Sequence, residues 1–405
     1  MHLSRLIPLT LLLACEGGDT DKAACTGSCA DDSTPTDDST PPDDSDAVDD
    51  STATDDSNGT DDSTPPDDTN DPGTDLLDTA CDAGNVVLYE HEDKTVEDLT
   101  DAMLAGTYTR LETPGRVIFC PGTWFARLLI RSDIDVIGAG DAPEDTVLSA
   151  GELGTILDIA GSGTLEEPVP IYVGVSNLTL DRGAGLDVDH NSGGGGLYCE
   201  LFGDLTIDDV IFSNNFANDG PGMYTEDCTF VLNRTTFIDN EAEDDGGALT
   251  FWWSFATIND SVFTNNVGLD GGAIASFYSE ATLNNVTIQD NTSAYYAGGM
   301  WLYNGLLDAT DVTFSNNTNT GENGGGLQAY GTATLTNVTF ENNTATRGGG
   351  IFVYYESEVT GTTCNFDGNT PEDIYVADYS EAGGVSMDVG MNYSFACAAN
   401  TCTGT

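Results

Sequence analysis

The sequence predicts an all-β fold, a solenoid of about ten coils with three short strands in each coil. One pattern recurs seven times between Leu197 and Asn369: a glycine cluster closed by an apolar residue and, about fifteen residues later, a phenylalanine or isoleucine three positions before an asparagine. Successive copies lie 24 to 27 residues apart. A period in this range predicts one supersecondary unit per repeat, which buries its apolar face only by stacking on its neighbours.

Two landmarks in each repeat predict which side chains stack. The apolar residue that closes the glycine cluster is Leu197, Met223, Leu249, Ile274, Met300, Leu327 or Ile351. The second landmark is Phe212/Asn215, Phe237/Asn240, Phe263/Asn266, Ile288/Asn291, Phe314/Asn317, Phe340/Asn343 or Phe366/Asn369. We expect the glycines to supply positive φ at one corner. The asparagines at another corner tolerate left-handed backbone and are expected to hydrogen-bond along the stack.

Strands are predicted from alternation within a repeat. In the copy that ends at Phe340, inward apolar residues alternate with polar ones except for a two-residue step at Thr336 and Asn337. This pattern indicates two short strands joined by a bend.

The first 14 residues are predicted to be a lipoprotein signal peptide. An apolar stretch follows Arg5 and is too short to span a bilayer permanently. The residues before Cys15 resemble a bacterial lipobox, which implies lipidation of Cys15 and export to the outer membrane or surface of a Gram-negative cell. The alternative is an ordinary signal peptide followed by a chance cysteine.

Residues 15–80 are predicted to be a disordered acidic tether. The doublet Asp-Asp recurs every six residues from Asp31 to Asp67, with Ser, Thr and Pro between. Such a segment has little apolar surface to offset its ordering entropy, and its charges repel. Weak binding of Ca²⁺ to the doublets is the alternative role.

The charge of the chain limits its partners. The formal net charge is −59, and the 21 acids and 2 bases of residues 1–80 leave −40 on the rest. This balance argues against nucleic acid as a partner and favours neutral or cationic ligands, or divalent metal.

The remaining boundaries follow from where the repeat begins and ends. Residues 81–120 are predicted to form an N-terminal cap and first coil, with an amphipathic helix over 95–106. Residues 121–370 form the repeats and 371–405 a C-terminal cap. Caps are needed because the end coils otherwise expose apolar cross-sections and free strand edges.

Ten cysteines in an exported chain suggest disulfides. Cys364 alternates inward with Phe366, so we expect it to be a small buried hydrophobic residue. The others apart from Cys15 are predicted to pair as Cys25–Cys29, Cys81–Cys120, Cys199–Cys228 and Cys397–Cys402. A bond between Cys364 and Cys397 remains a competitor.

Two runs of residues carry a family resemblance. The run CPGTWFARLLI, IDVIGAG and TVLSAG (120–151) resembles the start of pectin-lyase-like proteins, which implies a right-handed parallel β-helix. The GGAL and GGAI clusters with the phenylalanine–asparagine landmarks resemble repeats of chlamydial polymorphic outer membrane proteins, which implies an exposed adhesive domain. No C-terminal segment resembles a translocator barrel, so the lipid anchor replaces that route.

A ladder of aromatic residues is the first candidate site. Three positions after the closing apolar residue, five successive coils carry Trp252, Phe277, Tyr303, Tyr330 and Tyr354. If the closing residue points inward, this position points outward, giving rings ~4.8 Å apart along the solenoid. Such a strip suits sugar rings. The alternative is a stack that is covered by loops or only stabilises the turn.

An insertion is the second candidate site. Between Leu180 and Phe212 the period is about six residues too long, and the extra segment holds Asp187, Asp189 and His190. An acid pair with a histidine suits metal binding or proton transfer. The alternative is a solvated loop. The doublets Asp208–Asp209 and Asp244–Asp245 are interpreted as surface charge.

These patterns predict a monomeric surface lipoprotein that binds glycans or partner surfaces. The main alternative is a carbohydrate-active enzyme, a polysaccharide lyase or glycoside hydrolase, on the same fold. Residues 81–405 hold seven arginines and two histidines, so groups that bind uronates or abstract protons are scarce. The third possibility is a passive structural surface protein.

Overall fold

The protein is a parallel β solenoid. The computed structural model describes residues 76–82, 84–164, 167–185, 193–354, 357–377, 385–389, 395–398 and 401–404, which belong to one compact unit. They form about nine turns with almost no helix, which confirms the predicted all-β solenoid. Two early turns are longer than the repeat period. Val147 lies beside Thr179, and Leu180 beside Phe212, one turn and 32 residues later in each case.

Three strands follow one another in each turn, and each pairs in parallel with its counterparts in the neighbouring turns. Strands that run through a bend belong to two of the following stacks. The first stack, after the glycine corner, contains Thr109–Leu111, Leu128–Ile130, Leu157–Ala160, Leu197–Glu200, Met223–Glu226, Leu249–Trp252, Ile274–Phe277, Met300–Thr310, Leu327–Thr336, Ile351–Val353 and Ile374–Val376.

The second stack contains Gly115–Phe119, Ile134–Gly138, Ile171–Asp181, Gly203–Ser213, Thr229–Asn233, Phe255–Asn259, Glu280–Asn284, Met300–Thr310, Leu327–Thr336, Glu358–Asp367 and Val385–Val389. The third stack carries the phenylalanines: Gly122–Phe125, Thr146–Ser149, Ile171–Asp181, Gly203–Ser213, Thr236–Ile238, Val262–Thr264, Thr287–Gln289, Thr313–Ser315, Thr339–Glu341 and Glu358–Asp367. A fourth, smaller stack follows the asparagine corner: Phe216–Ala217, Glu241–Ala242, Val267–Asp270, Thr292–Tyr296 and Thr318–Asn319.

The remaining elements lie outside the stacks. Val87–His91 pairs antiparallel with Val96–Asp98 and with Gly115–Phe119, Ser162–Gly163 pairs with Pro168–Val169, and Phe395–Ala398 pairs with Thr401–Gly404. The helices are Leu76–Thr79, Thr100–Ala105 and the 3₁₀ turn Pro143–Asp145. In the described part of the chain, none of the helices reaches the length and apolarity of a membrane span.

The helix predicted over 95–106 is wrong in its first half. Val96–Asp98 is a strand, and the helix begins only at Thr100. The reason is tertiary, since Val96–Asp98 finds hydrogen-bond partners in the strand Val87–His91. The helix buries Met103 and ends at Gly106, whose φ of 64° is left-handed.

The core is built from identical positions stacked along the solenoid. Phe212 and Phe237 stack with ring centroids 4.4 Å apart, and Phe340 and Phe366 at 5.0 Å, in nearly parallel planes. These phenylalanines are almost completely buried. Fully burying such a ring stabilises a fold by about 2–3 kcal/mol, and six of the seven repeats contribute a ring to this column, with Ile288 in the remaining one.

The asparagine corner is a continuous hydrogen-bonded ladder. Asn291 is fully buried, its Oδ1 accepts hydrogen bonds from both the backbone N and Nδ2 of Asn266, and its Nδ2 donates to Asn317 Oδ1 and Phe263 O. The same pattern runs from Asn215 to Asn369. Left-handed backbone occurs one residue earlier than predicted, as at Asn265 and Asn316.

The glycine corner leaves no space for side chains. Gly246 and Gly271 have φ near +60°, as predicted for this corner. Close packing leaves no space for a side chain at the following glycine, because a Cβ on Gly247 would lie 2.1 Å from the carbonyl oxygen of Gly272 one turn later.

Two of the predicted disulfides are present. Cys81 is bonded to Cys120, and Cys199 to Cys228. Cys364 is completely buried, as expected. The backbones of Cys397 and Cys402 lie opposite each other in an antiparallel pair, and their disulfide stays a prediction. Cys15, Cys25 and Cys29 lie outside the described residues.

Candidate binding groove

The structure brings the five residues of the aromatic ladder together. Parallel register places Trp252 beside Phe277, Phe277 beside Tyr303 and Tyr303 beside Tyr330. Their ring centroids are 4.0, 6.0 and 5.0 Å apart in that order, and the ring of Tyr354 lies 5.3 Å from that of Tyr330. Five turns therefore present one continuous column of rings.

The ladder points away from the core, on the outer face of the first stack. Leu249 and Phe251 point inward and are fully buried, whereas Trp252 on the opposite face is partly exposed. Phe277 differs from the other four rings because it is only 3% exposed. It lies under Trp252 and against Trp301, so part of the ladder serves as packing and the rest remains open.

A column of acidic side chains forms a wall beside the ladder. Asp245 and Asp270 occupy equivalent positions in successive turns, and Tyr296 follows in the next turn. Asp219 lies one turn earlier, and its Oδ1 accepts a hydrogen bond of 3.1 Å from the backbone N of Asp245. Carboxylate oxygens of Asp244, Asp245 and Asp270 lie within 4.8 Å of one another. This geometry concentrates negative charge at one place in the groove.

Burial raises the pKa values of Asp219, Asp245 and Asp270. The pKa of Asp245 is raised to about 8. Burial is the largest cause, and the negative charges of Asp219, Asp244 and Asp270 add to the shift. Burial also raises the pKa of Asp270 to about 7, although a hydrogen bond from the backbone N of Tyr296 opposes the shift. Burial likewise raises the pKa of Asp219. A cation in the groove would favour the charged form of each group.

The ladder and the acidic column enclose a groove of about 580 Å³. Its lining includes Tyr278, Trp301 and Gln328 in addition to the residues above. This volume falls within the range of small-molecule sites, and a largely aromatic lining with few polar groups is typical of them. The groove is therefore the candidate functional site.

Two bulky residues at the edge of the groove adopt unusual backbone. Trp253 has φ 45° and Tyr278 has φ 51°, both in the left-handed region. The equivalent positions of the neighbouring turns are also left-handed but hold Asp227 and Asn304, whose residue types tolerate this backbone better. Left-handed backbone costs about 1–2 kcal/mol for such residues. Both side chains are more than 40% exposed and they stack on each other with centroids 5.8 Å apart. Strain at exposed aromatic residues is a pointer to function.

The insertion and the acidic doublets named from the sequence have separate outcomes. Asp187, Asp189 and His190 lie outside the described residues, and Arg182 at the start of that insertion pairs with Glu152. The Asp208–Asp209 doublet binds Arg234 at the surface, as interpreted from the sequence. Asp245, also interpreted as surface charge, is only partly exposed, because its carboxyl lies beside those of Asp244 and Asp270.

Asp270, Tyr296 and Gln328 were not predicted, although the sequence contains a signal for the acids. Asp219, Asp245 and Asp270 each directly precede a glycine with positive φ, in three successive repeats. Equivalent positions of a parallel solenoid stack ~4.8 Å apart. An acid recurring at one repeat position therefore predicts an acidic column.

Residues 185–383, just under half of the sequence, match the family model described as "Right handed beta helix region". The fold is a right-handed parallel β-helix. No curated protein matches the chain.

Solved structures of similar architecture are distant. ORF18 of Geobacillus virus E2 is 14% identical with a TM-score of 0.43, and the match covers 69% of this chain and 55% of that one. The mannuronan C-5 epimerase AlgE6 A-module of Azotobacter vinelandii is 12% identical with a TM-score of 0.32, covering 72% and 93%. PfbA, a surface adhesin of Streptococcus pneumoniae, is 11% identical with a TM-score of 0.27, covering 75% and 94%. The match thus spans about half of the first of these proteins.

Proposed function

We propose that the protein is a lipid-anchored β-helix that binds glycans at the surface of a Gram-negative cell. The observation that carries this proposal is the ladder of Trp252, Tyr303, Tyr330 and Tyr354, whose partly exposed rings line one groove over five turns. Flat rings cover the apolar faces of sugar rings at little cost in conformational entropy. Five turns at ~4.8 Å give a strip of about 19 Å, which suits a linear oligosaccharide better than a single sugar.

The sequence supports display at a distance from the membrane. A lipid on Cys15 anchors the chain, and an acidic spacer of about fifty residues before Cys81 reaches up to ~170 Å when extended. The net charge of −40 on residues 81–405 favours neutral or cationic ligands over polyanions. A monomer suffices for this role, since the ladder belongs to one chain.

One observation favours an enzyme as the second candidate function. Asp245 and Asp270 have pKa values of about 8 and about 7, near the pH at which a general acid is most effective. Both lie beside the ladder, where a bound glycan would run. A glycoside hydrolase that uses these two carboxyls is therefore the alternative to a binding module.

Binding and release of products, measured together, test both candidates. The protein is incubated with bacterial and plant polysaccharides, with and without Ca²⁺, and both retention and soluble oligosaccharides are scored. The proposal predicts retention without products, lost on Trp252→Ala and Tyr303→Ala. The matched control is Tyr172→Ala, which removes a ring that is 59% exposed and does not line this groove.

Each outcome of that experiment decides between functions. Products that disappear in Asp245→Asn would establish the hydrolase instead. Retention that is equally reduced by Tyr172→Ala would place binding elsewhere. Neither retention nor products on any polysaccharide would refute both candidates and leave a passive structural protein.

A further inference from the structure

The groove contains a cluster of carboxyl groups without a basic partner. Asp244, Asp245 and Asp270 bring three carboxylates within 4.8 Å, and among the described residues every ion pair involves other acids. If all three were ionised, each pair would repel by about 3 kcal/mol at an effective dielectric constant of 20, so either protons or a bound cation must neutralise the cluster. No basic residue in the described part of the chain forms an ion pair with this cluster.

Gln328 provides an independent indication of a missing donor. Its side chain lines the same groove, the residue is only 2% exposed, and its Oε1 has no hydrogen-bond partner in the described part of the chain. Leaving a buried acceptor unsatisfied costs about 1–3 kcal/mol. Gln328 sits beside Trp301 in the strand register, two positions before the column of the ladder. A ligand that donates hydrogen bonds would satisfy this oxygen.

The rest of the lining distinguishes an organic cation from a metal ion. Calcium takes six to eight oxygen ligands, whereas this groove is lined mainly by the rings of Trp252, Trp301 and Tyr303. An ammonium group gains from carboxylates, from the faces of aromatic rings and from an amide oxygen together. The rings also accommodate the apolar body that carries the ammonium.

We propose that the groove binds a glycan with unacetylated amino sugars, its ammonium groups at Asp244, Asp245, Asp270 and Gln328 and its sugar rings on the aromatic ladder. This inference rests on the proposed function, because it names the ligand class of the same groove. A bound ammonium group favours the charged form of these carboxyls and forms charge-assisted hydrogen bonds with them. It also gives Gln328 Oε1 a donor.

Titration calorimetry of the full-length protein tests the proposal. The two probes are a glucosamine hexamer and an N-acetylglucosamine hexamer, which share a backbone and differ in the charge on nitrogen, at a pH where the free amine is protonated. We expect the glucosamine hexamer to bind at least tenfold more tightly. Asp245→Asn and Asp270→Asn should each weaken its binding at least tenfold, and Gln328→Met several-fold. Asp239→Asn, an exposed acid in the solenoid, is the control and should change nothing.

The possible failures are distinguishable. Equal or tighter binding of the acetylated hexamer would overturn the amine specificity and keep the glycan-binding function. Binding of Ca²⁺ alone that Asp245→Asn abolishes, without amine preference, would make the cluster a metal site. Tighter binding of a lysine-rich peptide would replace the glycan by a protein partner. Binding of neither hexamer nor of any other glycan would overturn both proposals.

Discussion

Replacing Asp245 by asparagine is expected to stabilise the β-helix at neutral pH while it weakens ligand binding. The pKa of Asp245 rises from 3.8 to about 8 in the folded state, first because of burial and then because of the charges of Asp219, Asp244 and Asp270. In the unfolded chain the carboxyl loses its proton near pH 4. Folding between pH 4 and 8 therefore takes up a proton, and stability falls as pH rises through this window.

The size of this effect follows from the shift. Each pKa unit corresponds to about 1.4 kcal/mol, so a shift of about four units sets an upper limit of about 5 kcal/mol at pH 7.5. The groove side of Asp245 is open to water, and the neighbouring acids titrate with it, which reduces the loss. We expect Asp245→Asn to raise the free energy of unfolding by about 2 kcal/mol at pH 7.5. Near pH 4 most of the gain should disappear, since Asp245 is protonated in the folded state and already about half protonated in the unfolded chain.

Urea unfolding at a series of pH values from 4 to 8 measures this difference. Asp239→Asn is the matched control, because it removes the same charge from an exposed position. We expect a shallower decline of stability with pH in Asp245→Asn than in the wild type and in Asp239→Asn. Identical slopes for all three proteins, or a variant less stable than the wild type at pH 7.5, would refute it.

Two further predictions concern the scaffold. Asn291→Ala removes four hydrogen bonds from a fully buried position and should lower the free energy of unfolding by about 4 kcal/mol. The control Asn284→Ala removes one hydrogen bond at a partly exposed position and should cost about 1 kcal/mol, measured by the same urea unfolding. Equal losses of stability in the two variants would contradict the stabilising role of the asparagine ladder. Replacing both Cys199 and Cys228 by serine removes a link between residues 29 apart and should cost about 3 kcal/mol. An unchanged urea midpoint in that variant would contradict the assigned bond.

Most of the fold could be predicted because each repeat position has one environment. The phenylalanine and asparagine landmarks recur at a fixed spacing, and parallel stacking turns that spacing into columns of rings and amides. Where the period breaks, prediction was weaker. Val96–Asp98 has helical periodicity and nevertheless becomes a strand, because a neighbouring strand offers it hydrogen bonds.

The site was only half predictable for a related reason. The aromatic ladder follows from one strand and its register, and alternation gives its outward direction. The acidic column lies on a different stack, at Asp245 and Asp270, and the repeat period does not reveal how that corner bends toward the ladder. Gln328 was missed because a single polar residue in an apolar column carries no periodic signal. Its significance comes from burial and an unsatisfied oxygen, which only the folded structure shows.

Photo-cross-linking of a retained oligosaccharide, mapped by mass spectrometry, tests the central claim most directly. An oligosaccharide with a photoreactive group at one end is bound, irradiated and digested with the protein. The account predicts labelled peptides that contain Asp244–Asp245, Asp270, Tyr296–Tyr303 or Gln328–Tyr330, and loss of labelling in Trp252→Ala. Labelling confined to other faces, such as the surface around Tyr172 and Phe255, would contradict the claim that this groove is the binding site.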